Sequence, residues 1–412
     1  MATFQPLTGF RDFYPAECAA RDHIFNVWRE TCRRFGFVAY DGPPLETLEL
    51  YTTKSGEEIV HQLYNFVDKG ERHIALRPEM TPTFARMAGS RHREFKKPIK
   101  WFSIPQLFRY ERPQKGRLRE HYQWNVDIVG EADLGAEVEA ISLLLSSLTQ
   151  MGLTSKDVVV RLSDRIFWSD FLKARNVPES EWYEFFQALD KMERADEIET
   201  RKKLGRLADD VYNVFNHPTS SERLDRLTRQ LSSMGWADFI QVDLKIIRGL
   251  AYYTGTVFEV HDRSGAFRAI AGGGRYDHLL KLISGNDLPA FGFGMGDLVL
   301  AELLKEKNLL PSYQPKIDYF IVIGDESHRD NALRLASSLR NHGHSVDYPL
   351  AEMKFNKQLE MGSDRGAAYA LIVDDKFKES KLGLRNLTDR SQSEISFSYN
   401  DQTFSFSPTL PL

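Results

Sequence analysis

The chain has 412 residues and a formal net charge of −4, with 42% hydrophobic and 27% charged residues. This composition is ordinary for a globular protein and excludes a largely disordered chain. The mild acidity argues against wholesale non-specific binding of nucleic acid but is compatible with a local basic patch. The length predicts two or three domains.

Two cysteines, Cys18 and Cys32, lie near the N-terminus, and no Cys–His cluster has the spacing of a zinc site. So few cysteines are typical of a reducing compartment. The N-terminal residues lack the apolar core of a signal peptide, and no apolar run approaches the roughly 20 residues that span a bilayer. We therefore expect a cytoplasmic protein with no metal site of its own and no membrane contact.

The first part of the chain predicts a helix followed by strands. Apolar residues at spacings of three and four predict an amphipathic helix over residues 22–35, with Cys32 on its buried face and Gly36 at its end. Pro43 and Pro44 interrupt the next apolar stretch, which predicts an edge strand or a turn. Further strands are expected at LYNFVD, HIALR, IKWFSIPQLFRYE and HYQWNVDIVG. A helix over residues 135–151 should pack on their sheet.

The remaining elements divide the chain. Aromatic residues at helical spacing within a charged segment predict a helical insertion at about residues 164–237. Strands resume at DFIQVDLKII, TGTVFEVHD and FRAIAGGGRYD. After Pro311 and Pro315, strands alternate with helices, as in a small α/β domain. The predicted fold is therefore α+β, with a mostly antiparallel body over residues 1–315 and an α/β domain over residues 316–412.

The stretch FRYERPQKGRLREHYQ, from Phe108 to Gln123, concentrates positive charge in an acidic chain. Its first twelve residues include the cations Arg109, Arg112, Lys115, Arg117 and Arg119. Most charge runs are solvated loops, which is one interpretation here. The other is a loop between antiparallel strands that binds phosphates, because guanidinium groups bind phosphate oxygens in pairs and stay charged.

Three further stretches contain unusual residues. In LRPEMT, a strand would place Glu79 and Thr81 on one face, where they could receive an ammonium group; the alternative is a turn at a strand end. In IRGLAYYTGTVFEV, Arg248 precedes two tyrosines on a predicted strand and needs either an internal carboxylate or a substrate anion. In AGGGRYD, the glycines 272–274 allow close approach of a backbone or ligand, or simply form a bulge. The chain has neither a Walker A loop nor a Rossmann fingerprint.

In this order, the motifs resemble those of the histidyl-tRNA synthetase family, which belongs to the class II aminoacyl-tRNA synthetases. TGFRD at residues 8–12 is similar to the N-terminal signature, and FRYERPQKGRLREHYQ to motif 2 and its loop. IRGLAYY and AGGGRYD resemble the two histidine-specific signatures, and GFGMG at residues 292–296 the start of motif 3. The tail, with KFNKQL at residues 354–359, resembles the anticodon-binding domain. The resemblance covers nearly the whole chain.

The resemblance implies a fold and a reaction. The fold is the class II antiparallel sheet flanked by helices, with a helical insertion and a C-terminal anticodon-binding domain. The reaction activates L-histidine with ATP to histidyl-adenylate and transfers the histidyl group to tRNA-His. Mg²⁺ would accompany ATP, and the protein would be a homodimer, since the helix and the Pro43 region are similar to motif 1, an interface element.

The resemblance also implies roles for individual residues. Arg248 and Arg109 would be the catalytic cations. The implied histidine-binding residues are Glu79, Thr81, Arg109, Gln123, Asp127, Arg248, Tyr252, Tyr253 and Tyr276. The implied ATP-binding residues are Arg109, Glu111, Arg117 and Arg119. The implied contacts to the tRNA acceptor end are Arg112, Gln114 and Arg119.

Two positions depart from the family pattern. The family has Asp where this chain has Ala251, and its motif 3 continues Gly-x-Glu-Arg-Leu where this chain has GDLVL at residues 296–300. Val299 thus occupies the position of the arginine expected to hold the ATP γ-phosphate, so either another cation substitutes or ATP binding is weakened. The alternative function is a histidine-binding regulatory subunit of ATP phosphoribosyltransferase. Such paralogues typically lack the anticodon domain and tend to lose the motif 2 loop.

Overall fold

The computed structural model describes residues 4–55, 62–114, 116–192, 195–217, 219–248, 252–400, 403–407 and 409–411. The chain divides into two compact units, Met1–Pro311 and Ser312–Leu412. None of the helices formed by these described residues is both long enough and apolar enough to cross a membrane.

The first unit has the α+β composition that the sequence predicts. Its helices are α1 Pro15–Arg34, α2 Leu48–Ser55, α3 Thr81–Arg91, α4 Gly135–Gln150, α5 Arg165–Ala174, α6 Glu179–Lys191, α7 Glu197–Leu204, α8 Ala208–Asn216, α9 Glu222–Ser233, α10 Leu279–Ser284 and α11 Asp297–Glu306. Its strands are β1 Val38–Ala39, β2 Leu45–Thr47, β3 Asn65–Val67, β4 His73–Leu76, β5 Ile99–Ser103, β6 Gln106–Phe108, β7 Glu120–Val129, β8 Val158–Asp164, β9 Ile240–Val242, β10 Thr256–Asp262, β11 Ala271–Arg275 and β12 Ala290–Gly296. Helices α5–α9 form the predicted insertion between β8 and β9.

The main sheet runs in the order β1-β5-β7-β12-β11-β10-β8-β9, and β6 adds to β7. The pairings from β5 through to β8 are antiparallel, whereas the edge strands β1 and β9 pair in parallel. A second, small sheet has the order β2-β4-β3. The mostly antiparallel sheet confirms the predicted architecture.

Helix α1 packs its apolar face on the main sheet. The rings of Trp28 and Trp124 stack with centroids 5.6 Å apart, and Cys32 is fully buried. Burial raises the pKa of the Cys32 thiol to about 12, which keeps it protonated and unreactive. The predicted helix and its buried thiol are confirmed, although the helix begins at Pro15, a residue favoured in a first helical turn.

The second unit is an α/β domain with an antiparallel extension. Its elements are β13 Ile317–Ile323, α12 Arg329–Asn341, β14 Val346–Asp347, α13 Phe355–Asp364, β15 Ala367–Val373, β16 Lys381–Asn386, β17 Gln392–Asn400 and β18 Thr403–Ser407. The sheet order is β14-β13-β15-β16-β17-β18, parallel up to β15 and antiparallel beyond it. The alternating part was predicted, but the last three strands were not, because β17 is largely exposed and its sequence is mostly polar.

One open alternative is decided and one local prediction is wrong. Glu79 follows the end of β4 at Leu76 and Thr81 begins α3, so the alternative of a turn at a strand end is confirmed and the shared strand is not formed. Pro82 in the first turn of α3 favours that helix start. Arg248 is not on a strand either: it has a φ of 55°, in the left-handed region, and β10 begins only at Thr256.

Candidate active site

Two adjoining cavities lie against one face of the main sheet in the first unit. The smaller has a volume of about 90 Å³ and the larger about 240 Å³. Arg109, Gln123, Arg248 and Gly272 line both. The two cavities therefore share a wall in which arginine side chains from distant parts of the chain meet.

The smaller cavity gathers the residues that the resemblance assigns to histidine. They come from the β4–α3 turn, β6–β7, the segment before β10 and the end of β11. The lining includes Glu79, Thr81, Arg109, Gln123, Asp127, Arg248, Tyr252, Tyr253 and Tyr276. Glu79 and Thr81 thus reach one cavity from a turn and a helix start rather than from a shared strand.

Alternate residues of β7 and the glycines paired with them on β12 form one wall of both cavities. On β7, alternate side chains line the cavities in the order His121, Gln123, Asn125 and Asp127. The β12 residues that pair with the last three are the glycines of GFGMG, in the register Gly296↔Gln123, Gly294↔Asn125 and Gly292↔Asp127. A Cβ at Gly292 would collide with the Asp127 carboxylate, and one at Gly294 would lie 2.8 Å from Cδ of Gln123. The intervening Phe293 and Met295 are buried in the core.

The Arg248 side chain reaches the shared wall by passing over Gly272 of β11. A Cβ on Gly272 would overlap the guanidinium of Arg248, so the missing side chain is what admits the arginine. Nη1 of Arg248 lies 3.5 Å from Oε1 of Glu259, while its Nε is buried without a hydrogen-bond partner among the described residues. Burial lowers the pKa of Arg248, but the nearby Tyr253 and Glu259 outweigh this effect and leave the pKa raised. The group therefore stays cationic.

A buried carboxyl lies at the end of the smaller cavity. Burial raises the pKa of Asp127 to about 7, even though the Tyr276 hydroxyl donates a hydrogen bond to its Oδ1. Burial also raises the pKa of Tyr276 well above its ordinary value, so the tyrosine remains a donor. Asp127 is therefore poised between a neutral and an ionised form near physiological pH.

The basic stretch is a hairpin loop between β6 and β7, as predicted. Gln114 and Arg117 exchange backbone hydrogen bonds of 2.9 Å. Nη2 of Arg117 donates to Oε1 of Glu111 at 2.5 Å, and Nε of Arg109 donates to the Pro78 carbonyl at 2.9 Å. The side chains of Arg109, Glu111 and Arg117 line the larger cavity.

The other predicted contacts of this loop lie outside both cavity walls. The guanidinium of Arg119 covers the Tyr110 ring at 4.3 Å, while Arg112 and Gln114 are exposed to solvent. Lys115 and Ala251 lie outside the described residues. The loop is therefore divided between an inward-facing charged part and an outward-facing part.

The N-terminal TGFRD segment joins two of the cavity-forming elements. Nε of Arg11 lies 2.6 Å from Oε1 of Glu120 at the start of β7, and its Nη1 lies 2.9 Å from Oδ2 of Asp297 at the start of α11. Oδ1 of Asp297 also accepts the backbone N–H of Tyr122 at 2.9 Å. Arg11 thus holds motif 2 to motif 3, a positioning role that the resemblance of TGFRD to the N-terminal signature did not specify.

Several cavity residues were missed from the sequence. Alternation along β7 could have identified His121 and Asn125, which lie between or beside predicted residues. Burial and the nearby Arg109, Arg11 and Arg117 lower the pKa of His121 to about 3, so this imidazole is neutral. Glu259 and Arg268 also line the larger cavity, but no sequence pattern distinguishes them from ordinary surface charges.

The arrangement suits the joining of two anions. Arg109 and Arg248 lie where the small cavity, with its carboxyl and hydroxyl groups, opens into the larger one with its further arginines. Cations held at such a junction lower the cost of bringing a carboxylate to a phosphate, and they require no covalent enzyme intermediate.

Comparison with known proteins identifies relatives of both units. Residues 9–296 match the family model described as histidyl-tRNA synthetase, and residues 318–399 match the model described as anticodon binding domain. The chain is 44% identical over 421 residues to a histidine–tRNA ligase of Opitutus terrae, with 96% of each chain covered. It is 38% identical over 414 residues to a chloroplastic/mitochondrial histidine–tRNA ligase of Arabidopsis thaliana, covering 95% of this chain and 85% of that one.

A solved structure shows the same fold. The crystal structure of histidyl-tRNA synthetase from a Nostoc species matches this chain with a TM-score of 0.79 at 20% identity, covering 96% of this chain and 97% of that one. The predicted combination of an α+β body and a C-terminal α/β domain is thus confirmed.

Proposed function

The chain belongs to the histidyl-tRNA synthetase family, and on that premise we propose how its side chains divide the work of a histidine–tRNA ligase. The smaller cavity binds L-histidine, and the larger binds ATP. The observation that carries this assignment is the shared wall, where Arg109 and Arg248 line both cavities. A reacting carboxylate and α-phosphate would meet there.

In the first step, a carboxylate oxygen of histidine attacks the α-phosphorus of ATP. The bond from that phosphorus to the α–β bridging oxygen breaks, and pyrophosphate leaves with the electron pair. Arg109 and Arg248 bind the oxygens on which negative charge accumulates. Mg²⁺ that arrives with ATP would neutralise further phosphate charge. It would be held mainly by phosphate oxygens, because Glu111 and Glu259 in the larger cavity already pair with arginines.

Histidine is recognised by charge and by hydrogen bonds at both imidazole nitrogens. Glu79 and Thr81 receive the α-ammonium group, while Asp127 accepts from the imidazole N–H. The tyrosines around the cavity, of which Tyr276 is fully buried, enclose the ring and supply hydroxyl groups. A site built to satisfy two ring nitrogens rejects side chains of similar size that lack them.

In the second step, a hydroxyl of the 3′-terminal ribose of tRNA-His attacks the acyl carbon and AMP leaves. Arg112 and Gln114, which are exposed, would contact the acceptor end together with Arg119. The second unit, which matches the anticodon-binding model, contributes affinity for the tRNA. We also propose that the protein is a homodimer and acts in the cytoplasm.

Val299 is the one departure that points toward the regulatory-subunit alternative, and the matched family models and relatives favour the ligase. Such paralogues typically lack the anticodon domain and lose the motif 2 loop, whereas this chain matches the anticodon-binding model over residues 318–399 and has its arginine-rich loop. The relative at 44% identity is named a histidine–tRNA ligase and is covered over 96% of its length.

The test is exchange of pyrophosphate into ATP, followed by tRNA charging. We expect exchange that depends on histidine and does not need tRNA, together with histidylation of tRNA-His when it is added. A pure, folded protein that binds histidine but supports neither reaction would favour the regulatory alternative.

A further inference from the structure

We propose that Arg268 binds the β- and γ-phosphates of ATP and so supplies the positive charge that is missing at Val299. This inference rests on the proposed function, since it assumes that the larger cavity is the ATP site. It concerns a residue that none of the sequence motifs singled out.

Among the described arginines of the larger cavity, Arg268 is available to bind an anion, since it forms no ion pair. The cations that line the cavity within the described residues are Arg109, Arg117, Arg248 and Arg268. Arg117 is paired with Glu111, Arg248 lies 3.5 Å from Glu259, and Arg109 is held by the Pro78 carbonyl. Arg268 is exposed and has neither an ion pair nor a hydrogen bond with any described residue. It is thus a lining cation whose charge the protein itself does not balance.

Strand pairing brings the segment of Arg268 and the segment of Val299 to the same end of β11 and β12. Ala271 of β11 pairs with Met295 of β12 in an antiparallel ladder. The segment that precedes β11 and contains Arg268, and the start of α11 that follows β12, therefore leave the same end of this ladder. Leu298 and Val299, in the first turn of α11, line the same cavity as Arg268.

Val299 itself cannot bind a phosphate. Its side chain is mostly buried, and its Cγ2 lies 3.4 Å from the place where a Cβ on Gly116 would stand, so it forms an apolar wall beneath the motif 2 turn. A polyanion entering the cavity needs a cation at this end. Arginine suits the task because its planar group binds two phosphate oxygens at once and never loses its charge.

The experiment compares Arg268→Ala and Arg268→Gln with Arg93→Ala in the full-length chain. Arg93 is an exposed arginine on the same unit that lines neither cavity, so its loss controls for overall charge. The measurements are the KM for ATP and for histidine in pyrophosphate exchange, and the inhibition constant of AMP, which has no β- or γ-phosphate. The melting temperature reports folding, and Arg268 has no described contact whose loss would lower it.

We expect both Arg268 variants to raise the KM for ATP by about tenfold or more, which corresponds to roughly 1.4 kcal/mol of binding free energy. The KM for histidine and the inhibition constant of AMP should change by less than about twofold, and Arg93→Ala should behave as wild type. An unchanged KM for ATP in the Arg268 variants would overturn the inference, as would an equal weakening of ATP and AMP. Wild-type protein without exchange activity would instead overturn the proposed function.

Discussion

At the residue scale, Arg248 has one ion-pair partner and one unsatisfied donor among the described residues. It pairs with Glu259, which also lies 3.0 Å from Nε2 of His261, so the carboxylate keeps a neighbour if the arginine is removed. The Arg248 Nε is buried and points to no acceptor among the described atoms. A purely structural salt bridge would not leave this donor unsatisfied, whereas a site for a substrate anion would.

We predict that Arg248→His slows histidine-dependent pyrophosphate exchange by about 10²–10³, because it removes a cation that stabilises charge mainly in the transition state. The loss should fall on kcat more than on KM, and Arg248→Lys should restore only part of it, since lysine lacks the planar fork. The melting temperature should stay nearly unchanged. If Arg248→His unfolds the protein and Glu259→Gln does the same, the residue is structural.

The second prediction at this scale concerns Asp127, whose pKa is about 7. Above that pH the carboxylate is ionised and accepts a hydrogen bond from the imidazole N–H of histidine. Below it, the protonated acid is a weaker acceptor, so kcat/KM for histidine should fall as the pH drops through 7. Steady-state kinetics at constant ionic strength would measure the profile.

Asp127→Asn is the control for this ionisation. It keeps an acceptor for the Tyr276 hydroxyl but cannot titrate, so its profile should retain only the ionisation of free histidine itself. A variant with the same two ionisations as the wild type would show that the group near pH 7 is not Asp127.

At the element scale, two neighbouring glycines of β11, Gly272 and Gly273, leave space for different atoms. The atom that a Cβ on Gly272 would meet belongs to the flexible end of Arg248. A Cβ on Gly273 would collide with the Gly292 carbonyl and would lie 2.6 Å from Cβ of Phe293, both parts of the paired strand. One glycine therefore makes room for the Arg248 side chain, and the other allows two strands to approach.

This difference predicts opposite effects of two alanine substitutions. Gly272→Ala should reduce exchange activity by at least about tenfold with little loss of stability, because the arginine can move away from the added methyl group. Gly273→Ala should lower the free energy of unfolding by about 1–3 kcal/mol, because the backbone of β12 cannot move as easily. Denaturant titration and exchange assays on both variants would separate the effects. Equal destabilisation by the two substitutions would contradict this division.

At the scale of the whole molecule, each unit has its own hydrophobic core. The largest cluster contains residues from Ile24 to Leu310, all in the first unit, and separate clusters lie within residues 317–410 of the second unit. Units with independent cores can fold alone. Both cavities of the candidate site are lined by the first unit.

We therefore predict that a chain ending at Pro311 retains most of its pyrophosphate exchange but charges tRNA-His poorly, because it has lost the anticodon-binding unit. Circular dichroism and a cooperative melting transition would establish that the shortened protein is folded. An equal loss of exchange and charging in that folded protein would contradict the separation of roles.

The first unit also presents apolar surface at its edges. Val38 of the edge strand β1 is 62% exposed, and Phe66 and Val67 of the small sheet are 49% and 53% exposed. Such edges favour association with another copy. We predict a homodimer by light scattering at micromolar concentration. Val38→Lys, which charges the edge strand, should shift the mass toward that of a monomer, while a monomeric wild type would refute the proposal.

The sequence by itself determined the family, the order of the motifs and most of the strongly periodic elements. A helix such as α1 and the alternation along β7 are local patterns, because burial on one face imposes a period of 3.6 or 2 on the residues themselves. The histidine-binding residues were expected from the resemblance to the family and not from these periodic patterns.

Only the tertiary structure decided which charged side chains form ion pairs and which remain free to bind a ligand. Arg248 lies against Gly272 of β11, Arg117 pairs with Glu111 within its loop, and Arg268 lines the same cavity as Val299. Except within the loop, these neighbours are far apart or unrelated in sequence, and no local period reports them. The backbone at Arg248 was also decided this way, since it is left-handed where the sequence predicted a strand. Charge pairing and cavity shape depend on distances through space, and folding sets those distances through contacts that a linear pattern does not contain.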